Sequence, residues 1–168
     1  MVFLRLPPRI KVLEALGAIG DGRVCLAGPS IGYVGSSDGS RVYTVYVDTS
    51  RGEAYSDDNG TKYRRYIGYP IIAVLMLSGF LEYETKYAEA LTGIPWRELN
   101  EKYKRYAIVE RIVLERAEER GVKRKDIEEY VERTMKKLGS AKLRLLESPP
   151  LDASILVYKC RSLFKDRG

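Results

Sequence analysis

The hydrophobic pattern changes its period along the first sixty residues. In segment 7–22 apolar residues recur at every third position, which predicts a short helix that a Gly-Asp-Gly sequence ends. Two brief apolar stretches follow, 23–28 and 30–35, and both predict short strands. Segment 41–48 alternates β-branched and aromatic residues, which is typical of a strand. After a tight turn, segment 53–57 is predicted to be its antiparallel partner.

From residue 70 onward the pattern is helical. Segment 70–79 is apolar on every side, which predicts a buried helix. Segment 82–93 predicts a second helix. Segment 94–106 predicts a third helix, in which the apolar and aromatic residues from Trp96 to Tyr106 share one face. Segments 107–121 and 122–139 each carry an apolar stripe along one side, so they are predicted to be amphipathic helices.

These elements predict an α+β protein, with a small antiparallel N-terminal sheet and a hairpin-helix unit followed by a helical C-terminal half. We expect an α+β domain over 1–79 and a helical region packed on it over 80–148. Pro149 and Pro150 predict a boundary. Segment 149–168 is expected to be a tail or, through the sequence SILVYK, an added strand.

The residue types that the chain lacks exclude several kinds of catalytic site. With no histidine, it has no Ser-His-Asp or Cys-His relay, no histidine zinc ligand and no imidazole acid or base. Its two cysteines, Cys25 and Cys160, are too few for a four-cysteine zinc site. Each is expected to be a small buried apolar residue or, less commonly, half of a disulfide. Abundant Glu, Lys and Arg without glutamine are typical of hyperthermophile proteins.

The net charge of +6 permits binding to a polyanion without requiring it. The basic excess lies in 101–168, and the preceding part of the chain is balanced. The longest apolar run, Ile71–Leu77, is far shorter than the ~20 residues of a membrane helix. Pro7 and Pro8 interrupt the segment where a signal peptide would be apolar. We therefore expect a cytoplasmic protein with no membrane partner, and the sequence indicates no cofactor.

An acidic sequence, Asp57-Asp58-Asn59-Gly60, follows the predicted hairpin. The spacing does not fit a twelve-residue calcium-binding loop, whether the loop is counted from Tyr55 or from Asp57. The prediction is a polar turn in which Gly60 adopts a positive φ. The alternative is a magnesium site in which Asp48, Asp57 and Asp58 serve a phosphoryl-transfer or nuclease-like enzyme, although neighbouring residues on a strand point to opposite faces.

The order of strand, turn, strand and buried helix over 41–77 resembles the SWIM-type zinc finger, a hairpin and helix with the signature Cys-x-Cys … Cys-x-His. The cysteine and histidine ligands are absent, so zinc binding does not carry over. The resemblance implies a zinc-free ββα scaffold that contacts DNA or protein in recombination or repair, without catalysis. Together with the abundance of Glu, Lys and Arg, the resemblance favours a hyperthermophilic archaeal origin. The four ligand positions are occupied by Tyr55, Asp57, Gly68 and Pro70.

Basic and aromatic residues alternate in the segment between those ligand pairs and just after it. This arrangement can place cations along phosphates and rings against bases, as in proteins that bind single-stranded nucleic acid. The alternative is that the tyrosines pack between sheet and helix with their hydroxyls in water. The candidate nucleic-acid-binding residues are Lys62, Tyr63, Arg64, Arg65, Tyr66 and Tyr69.

A second basic cluster, Lys123, Arg124 and Lys125, lies between two predicted helices. In a helix-turn-helix the following helix would read DNA, so these residues are also nucleic-acid-binding candidates. Against this, Asp126 and Glu128 place negative charge where base contacts would be made, and acidic residues at a helix start ordinarily complement its dipole.

The leading hypothesis is a non-catalytic module that binds DNA or RNA, or a protein partner, through segment 62–69. The metal-dependent enzyme is the alternative from another class. A third hypothesis is a structural subunit whose helical half pairs with a second copy or with a different chain.

Overall fold

The computed structural model describes residues 1–150 and 156–164. Four strands of a five-stranded sheet precede most of the helices, which confirms the α+β class. The helices are α1 (Ile10–Gly20), α2 (Asn59–Lys62), α3 (Tyr69–Leu77), α4 (Thr85–Ala90), α5 (Trp96–Tyr103), α6 (Tyr106–Glu119) and α7 (Arg124–Ser140). The strands are β1 (Val24–Leu26), β2 (Ile31–Gly35), β3 (Val42–Asp48), β4 (Glu53–Ser56) and β5 (Arg144–Leu145).

The strands lie in the order β1-β2-β3-β4-β5. The first four form an antiparallel meander, as predicted for β3 and β4, and β5 joins the edge in parallel with β4. The N-terminal residues extend this edge. The Leu4 N–H donates to the Leu143 carbonyl and the Arg5 N–H donates to the Arg65 carbonyl, both at 2.9 Å. The N-terminus therefore connects β5 to the segment that follows α2.

Helix α3 lies against one face of the sheet and is buried from Pro70 to Met76, as its uniform apolar pattern predicts. Proline in the first turn fixes φ without removing a helical hydrogen bond, and Gly79 follows the helix end with a φ of 92°. Helix α1 packs on α3 and α4. A single core cluster includes residues of the sheet, α1, α3 and the later helices.

The helical half differs from the prediction at two points. Helix α4 is shorter than the predicted segment. Helix α5 ends where Lys104 adopts a left-handed conformation with a φ of 55°, and Tyr106 begins α6. The prediction that Tyr106 shares the apolar face of the preceding helix is therefore wrong, because a non-glycine residue in this conformation gives no clear sequence signal. Among the helices described, none is long and apolar enough to cross a bilayer.

The other face of the sheet contacts the C-terminal segment Leu156–Leu163, which forms 3-10 turns. Cys160 forms a disulfide with Cys25 of β1, across 135 residues of chain, so the disulfide is the alternative that the structure adopts. This segment and Tyr33 belong to a second apolar cluster. The expectation of an added strand is wrong for the described part of SILVYK, and the rest of that sequence lies outside the described residues.

Candidate ligand-binding cleft

A cleft of about 480 Å³ lies between α1, α5 and two loops, with single residues contributed by the α1–β1 turn, β3 and the start of α6. Helix α1 and helix α5 provide two sides, and the loops from β2 to β3 and from β4 to α3 provide the others. Its volume falls in the usual range of small-molecule sites, about 300–1,000 Å³. Charged and aromatic side chains make up most of its lining.

The acidic sequence after β4 shapes one wall of the cleft. Asp58 is the N-cap of α2, and its carboxylate accepts hydrogen bonds from the Thr61 N–H at 3.1 Å and from the Thr61 hydroxyl at 2.8 Å. The Ser56 hydroxyl donates to the same carboxylate. These bonds satisfy an otherwise unpaired donor at the start of α2, so Asp58 has a structural role.

Gly60 lies inside α2 and does not have a positive φ, so that expectation is wrong. A Cβ atom at this position would come within 2.5 Å of the Tyr66 ring. The glycine therefore allows Tyr66 to pack closely against α2. Arg65 instead has a positive φ, of 58°.

A buried ion pair forms the floor of the cleft, which we define as Lys11, Glu14 and Asn100. Lys11 and Glu14 lie one turn apart on α1, with Lys11 Nζ 3.1 Å from Glu14 Oε2. Their side chains are 13% and 3% exposed. Asn100 of α5 donates from Nδ2 to Glu14 Oε1 at 2.9 Å. Burying two charges costs several kcal/mol before their attraction is counted, and for this reason we treat the cleft that contains the pair as the candidate site.

The protein environment shifts the ionisation of the floor and its neighbours. Burial alone would lower the pKa of Lys11, but the Glu14 carboxylate, together with the phenolate forms that Tyr66 and Tyr106 take at high pH, outweighs burial and raises it. Burial raises the pKa of Tyr66 to about 12 and also raises the pKa of Tyr69. At neutral pH the cleft therefore presents an ammonium group and neutral phenols.

Four buried side-chain atoms of the described residues have no hydrogen-bond partner, and three belong to cleft residues: Asn100 Oδ1, Trp96 Nε1 and Arg23 Nη2. The Glu14 carboxylate can only accept, so it orients the Asn100 amide with Nδ2 towards it and Oδ1 away. The Arg23 guanidinium also acts on the Tyr69 hydroxyl, and its charge offsets part of the rise that burial causes in the Tyr69 pKa. Because buried polar groups are nearly always paired, this concentration of unpaired groups favours a binding site.

Three arginines line the cleft near its opening: Arg41, Arg64 and Arg97, all exposed. Arg97 forms an ion pair with Asp38 at 3.0 Å. Arg41 and Arg64 form no ion pair with any residue that the structure describes. The Arg41 guanidinium lies 5.2 Å from the centre of the Tyr43 ring, an arrangement that leaves its hydrogen-bond donors free for an anion.

The cleft contains three of the six residues predicted in segment 62–69: Arg64, Tyr66 and Tyr69. Tyr66 is only 8% exposed, and burial dominates the environment of Tyr69. These two rings are therefore walls of the cleft and do not project from the surface as the prediction of an exposed stacking row requires.

The other three predicted residues lie outside the cleft. Tyr63 is 69% exposed. Lys62 and Arg65 line a separate groove with Arg144. The Arg5 guanidinium donates to the Arg64 carbonyl, so it lies close to this basic segment. Half of the six predicted residues thus line the cleft, and the other half lie on the surface outside it.

The second predicted cluster, Lys123, Arg124 and Lys125, lines a different groove at the start of α7. Arg124 forms an ion pair with Glu128 at 3.6 Å, and Lys125 forms one with Glu129 at 4.0 Å. None of the three basic residues lines the cleft. The structure does not bring the two predicted basic clusters together.

The three carboxylates of the magnesium alternative lie in different local structures. Asp48 accepts from Ser50 in the β3–β4 turn, and Asp57 accepts from the Thr44 N–H at 2.9 Å. Thr44 and Asp48 are four residues apart on β3, or ~13 Å at ~3.3 Å per residue. Asp58 caps α2. The described residues contain no group of three acidic or cysteine side chains that could hold a metal ion, so the geometry does not support this alternative.

The sequence reasoning missed the floor of the cleft and most of its arginines. Glu14 gave a signal, because it is a lone carboxylate in an apolar helical run whose neighbours are buried. Lys11, Arg23, Arg41 and Asn100 gave none, since they approach one another only through the packing of separate elements.

The family model described as uncharacterised conserved protein UCP014422 matches residues 4–144, and the chain belongs to that family. No curated protein and no solved structure matches the chain. The matched range includes every residue that lines the cleft, whereas Cys160 lies beyond it.

Proposed function

We propose that this member of the family binds nucleic acid as a non-catalytic module, and that its cleft takes up one nucleotide of a single strand. The observation that carries the proposal is the pair Arg41 and Arg64, which lie at the cleft opening and form no ion pair with any described residue. Guanidinium groups bind phosphate oxygens in paired hydrogen bonds, and phosphate contacts supply much of the affinity for nucleic acid.

The dimensions and lining of the cleft favour a single unstacked nucleotide over a duplex. A volume of about 480 Å³ suits a small molecule, and the rings of Tyr66, Tyr69 and Trp96 line it. A single strand can direct an unstacked base into such a pocket, whereas a duplex keeps its bases paired and stacked. The aromatic lining and the arginines then serve the base and its phosphate respectively.

The outer surface next to the cleft can continue the binding path. Lys62, Tyr63 and Arg65 are exposed, and Arg5 lies beside Arg64. A strand that leaves the cleft past Arg64 would meet these cations and the Tyr63 ring. Stacking of a base on an exposed ring contributes about 1–3 kcal/mol in single-strand binding.

The hairpin and helix support the same proposal through the SWIM resemblance. The order along the chain is β3, β4, the short helix α2 and then α3. Apart from α2, this is the order of the ββα scaffold that the resemblance implies. Gly68, which stands at one ligand position in the SWIM resemblance, lies against the Asp58 carboxylate and the Thr61 hydroxyl. Hydrogen bonds therefore hold the loop where zinc would hold it in a SWIM finger, and the proposal needs no metal.

The test is a fluorescence anisotropy titration with labelled single- and double-stranded DNA and RNA at several salt concentrations. The protein should bind single strands more tightly than duplexes. In Arg41→Ala/Arg64→Ala the slope of log affinity against log salt should become shallower by about 1.4, since each lost phosphate contact removes about 0.7.

The matched control is Lys123→Ala/Lys125→Ala, which removes two exposed positive charges away from the cleft. This variant should keep nearly all of the single-strand affinity. Equal losses of single-strand affinity in the two double variants would show that binding depends only on net charge, and this would refute the cleft proposal. Absence of nucleic-acid binding by the unmodified protein at low salt would refute the function itself.

A further inference from the structure

We infer that the sheet face opposite α3 is a second binding surface for single-stranded nucleic acid, and that the Cys25–Cys160 disulfide keeps it covered. The inference rests on the proposed function for the class of ligand, but it concerns a different part of the molecule from the cleft. Three tyrosines on neighbouring strands carry it: Tyr33 of β2, Tyr46 of β3 and Tyr55 of β4, which we call the tyrosine face.

The register of the sheet brings the three side chains together. Tyr46 lies directly opposite Tyr55, and Tyr33 lies opposite Thr44, two residues from Tyr46. Side chains in such positions are about 5 Å apart in a direct pair and about 7–8 Å apart on a diagonal. The residues that alternate with the tyrosines belong to the main core on the α3 side, whereas the tyrosines belong to the second apolar cluster. The three rings therefore share one face.

Aromatic side chains on neighbouring strands are a known arrangement for holding unpaired bases. In RNA-recognition modules that consist of a four-stranded sheet, such rings stack two or three bases of a single strand. Stacking of this kind tolerates any base, because every base has a flat aromatic face. The tyrosine face therefore fits a single strand of any sequence.

Cations adjoin the tyrosine face at Tyr55, which lines a groove together with Lys62 and Arg65. Neither cation forms an ion pair with a residue that the structure describes. A third cation of the groove, Arg144, is neutralised by an ion pair with a β4 carboxylate at 2.9 Å. Among the described lining residues Glu147 alone is acidic, so the groove has a positive balance. This charge favours a strand with phosphates over an apolar protein segment.

The C-terminal segment Leu156–Leu163 covers the tyrosine face in the disulfide-bonded protein. The segment contacts β1 and β2. The ring of Phe164, which follows it, packs edge-on against the Tyr33 ring with 6.0 Å between their centres. Tyr33 and Tyr46 are only 3% and 8% exposed. Bases cannot stack on these rings while the segment is in place.

The disulfide is the main attachment of this segment to the sheet. Among the described residues, no ion pair and no backbone hydrogen bond joins segment 156–164 to a strand. Leu156 and Leu163 pack on the second apolar cluster but are only partly buried. Ordering a peptide segment costs conformational entropy at every residue, and a few partly buried side chains offset only part of that cost. We therefore expect the segment to detach when the disulfide is reduced.

Uncovering the face requires a dithiol reductant. The dithiol gives up two electrons and two protons and becomes a disulfide, while the Cys25–Cys160 bond breaks and both cysteines become thiols. The oxidised protein is thus the covered form, and the reduced protein is the form whose tyrosine face binds a strand.

The experiment is a fluorescence anisotropy titration of the full chain with labelled oligothymidylate, with and without dithiothreitol. Reduction should raise the affinity about 10-fold or more, because each newly stacked base contributes a factor of about that size. Cys160→Ser should show the raised affinity in both conditions. In the Cys160→Ser protein, Tyr46→Leu should remove about 10-fold of affinity. Tyr158→Leu, at an exposed position on the segment itself, is the matched control and should remove none.

A thiol assay verifies that both cysteines are reduced, and circular dichroism verifies that the protein stays folded. Equal affinities of the oxidised and reduced proteins would overturn the inference and leave strand binding by the cleft intact. A gain on reduction that Tyr46→Leu does not diminish would overturn the assigned face. If reduction unfolds the chain, Leu156→Asp/Leu163→Asp loosens the segment in the oxidised protein instead, and an unchanged affinity there would overturn the inference.

The double variant Arg41→Ala/Arg64→Ala separates the tyrosine face from the cleft. It should weaken binding in both redox states and keep the gain on reduction. Binding that appears only on reduction, and that this variant does not weaken, would refute the cleft proposal while the present inference stands. Absence of binding in both redox states at low salt would refute both.

Discussion

Removal of the Glu14 carboxylate should destabilise the protein, because it leaves the buried Lys11 ammonium without its partner. In Glu14→Gln the Lys11 ammonium stays 13% exposed and loses the partner at 3.1 Å that holds its charge. Breaking a buried ion pair at one side costs about 3–5 kcal/mol. Because the Lys11 side chain keeps 13% of its surface exposed, we expect the lower end of that range, about 3 kcal/mol.

The double variant Lys11→Met/Glu14→Leu shows whether the cost arises from the unpaired charge, because it removes both charges together. Replacement of a whole buried ion pair by apolar residues of similar size is often neutral or stabilising. Asn100 Nδ2 loses its acceptor in this variant, which costs about 1–2 kcal/mol. We therefore expect the double variant to be within about 2 kcal/mol of the unmodified protein, and more stable than Glu14→Gln, while it no longer binds the ligand.

The assay is urea unfolding followed by circular dichroism, with thermal unfolding in parallel. A loss of about 3 kcal/mol corresponds to a fall in Tm of about 6–12 °C for a domain of this size. Nucleotide or strand binding is measured on the same samples. A loss below about 1 kcal/mol in Glu14→Gln, or a double variant that is less stable than the single variant, would refute the assignment of a costly buried pair.

Three other contacts give measurable expectations. Gly68→Ala would overlap the Asp58 carboxylate and should lower the free energy of unfolding by about 1–3 kcal/mol in urea. Tyr66 has a folded pKa of about 12, above the ordinary value of about 10, so the unfolded state loses its proton first and stability should fall between about pH 10 and 12 in thermal melts. Tyr66→Phe should reduce this fall. Reduction of the Cys25–Cys160 disulfide opens a loop of 135 residues and should lower stability by about 5 kcal/mol in the chain-entropy account, seen as a lower Tm with dithiothreitol.

Matched variants control each of these measurements. Gly28→Ala meets its nearest atom at an ordinary 3.7 Å and should change stability by less than about 0.5 kcal/mol, and a Gly68→Ala protein equally close to the unmodified one would contradict the packing account. Tyr63→Phe, which removes a hydroxyl at an exposed position, is the matched control for Tyr66→Phe. Cys25→Ser/Cys160→Ser should be insensitive to dithiothreitol, and the same insensitivity in the unmodified protein would contradict the disulfide.

The elements that the sequence predicts well are those with a local cause. Helix α3 combines a first-turn proline, an unbroken apolar run and Gly79 after its end, so each local preference agrees with its buried position. The β3–β4 hairpin likewise has alternating residues and a tight turn. Strand β5 was not predicted because two residues carry no periodicity, and its pairing with β4 depends on a contact some ninety residues away.

The candidate cleft was only partly predictable for the same physical reason. Arg64, Tyr66 and Tyr69 stand out locally because basic and aromatic residues alternate, but the pattern cannot show that the two tyrosines turn inward. That orientation depends on Gly60, which leaves room for the Tyr66 ring beside α2. The contact between Glu14 and Asn100 joins residues 86 positions apart and could not be predicted from spacing.

The most direct test of the central claim follows the single tryptophan, Trp96, whose indole lines the cleft. A ¹⁵N-labelled sample is titrated with a short single-stranded oligonucleotide, and the indole N–H and backbone amide signals are recorded by NMR. The account predicts that the Trp96 indole and the amides of Gly60, Gly68 and Asn100 shift together and saturate. Shifts confined to the start of α7 around Lys123, or no shift at all at low salt, would contradict it.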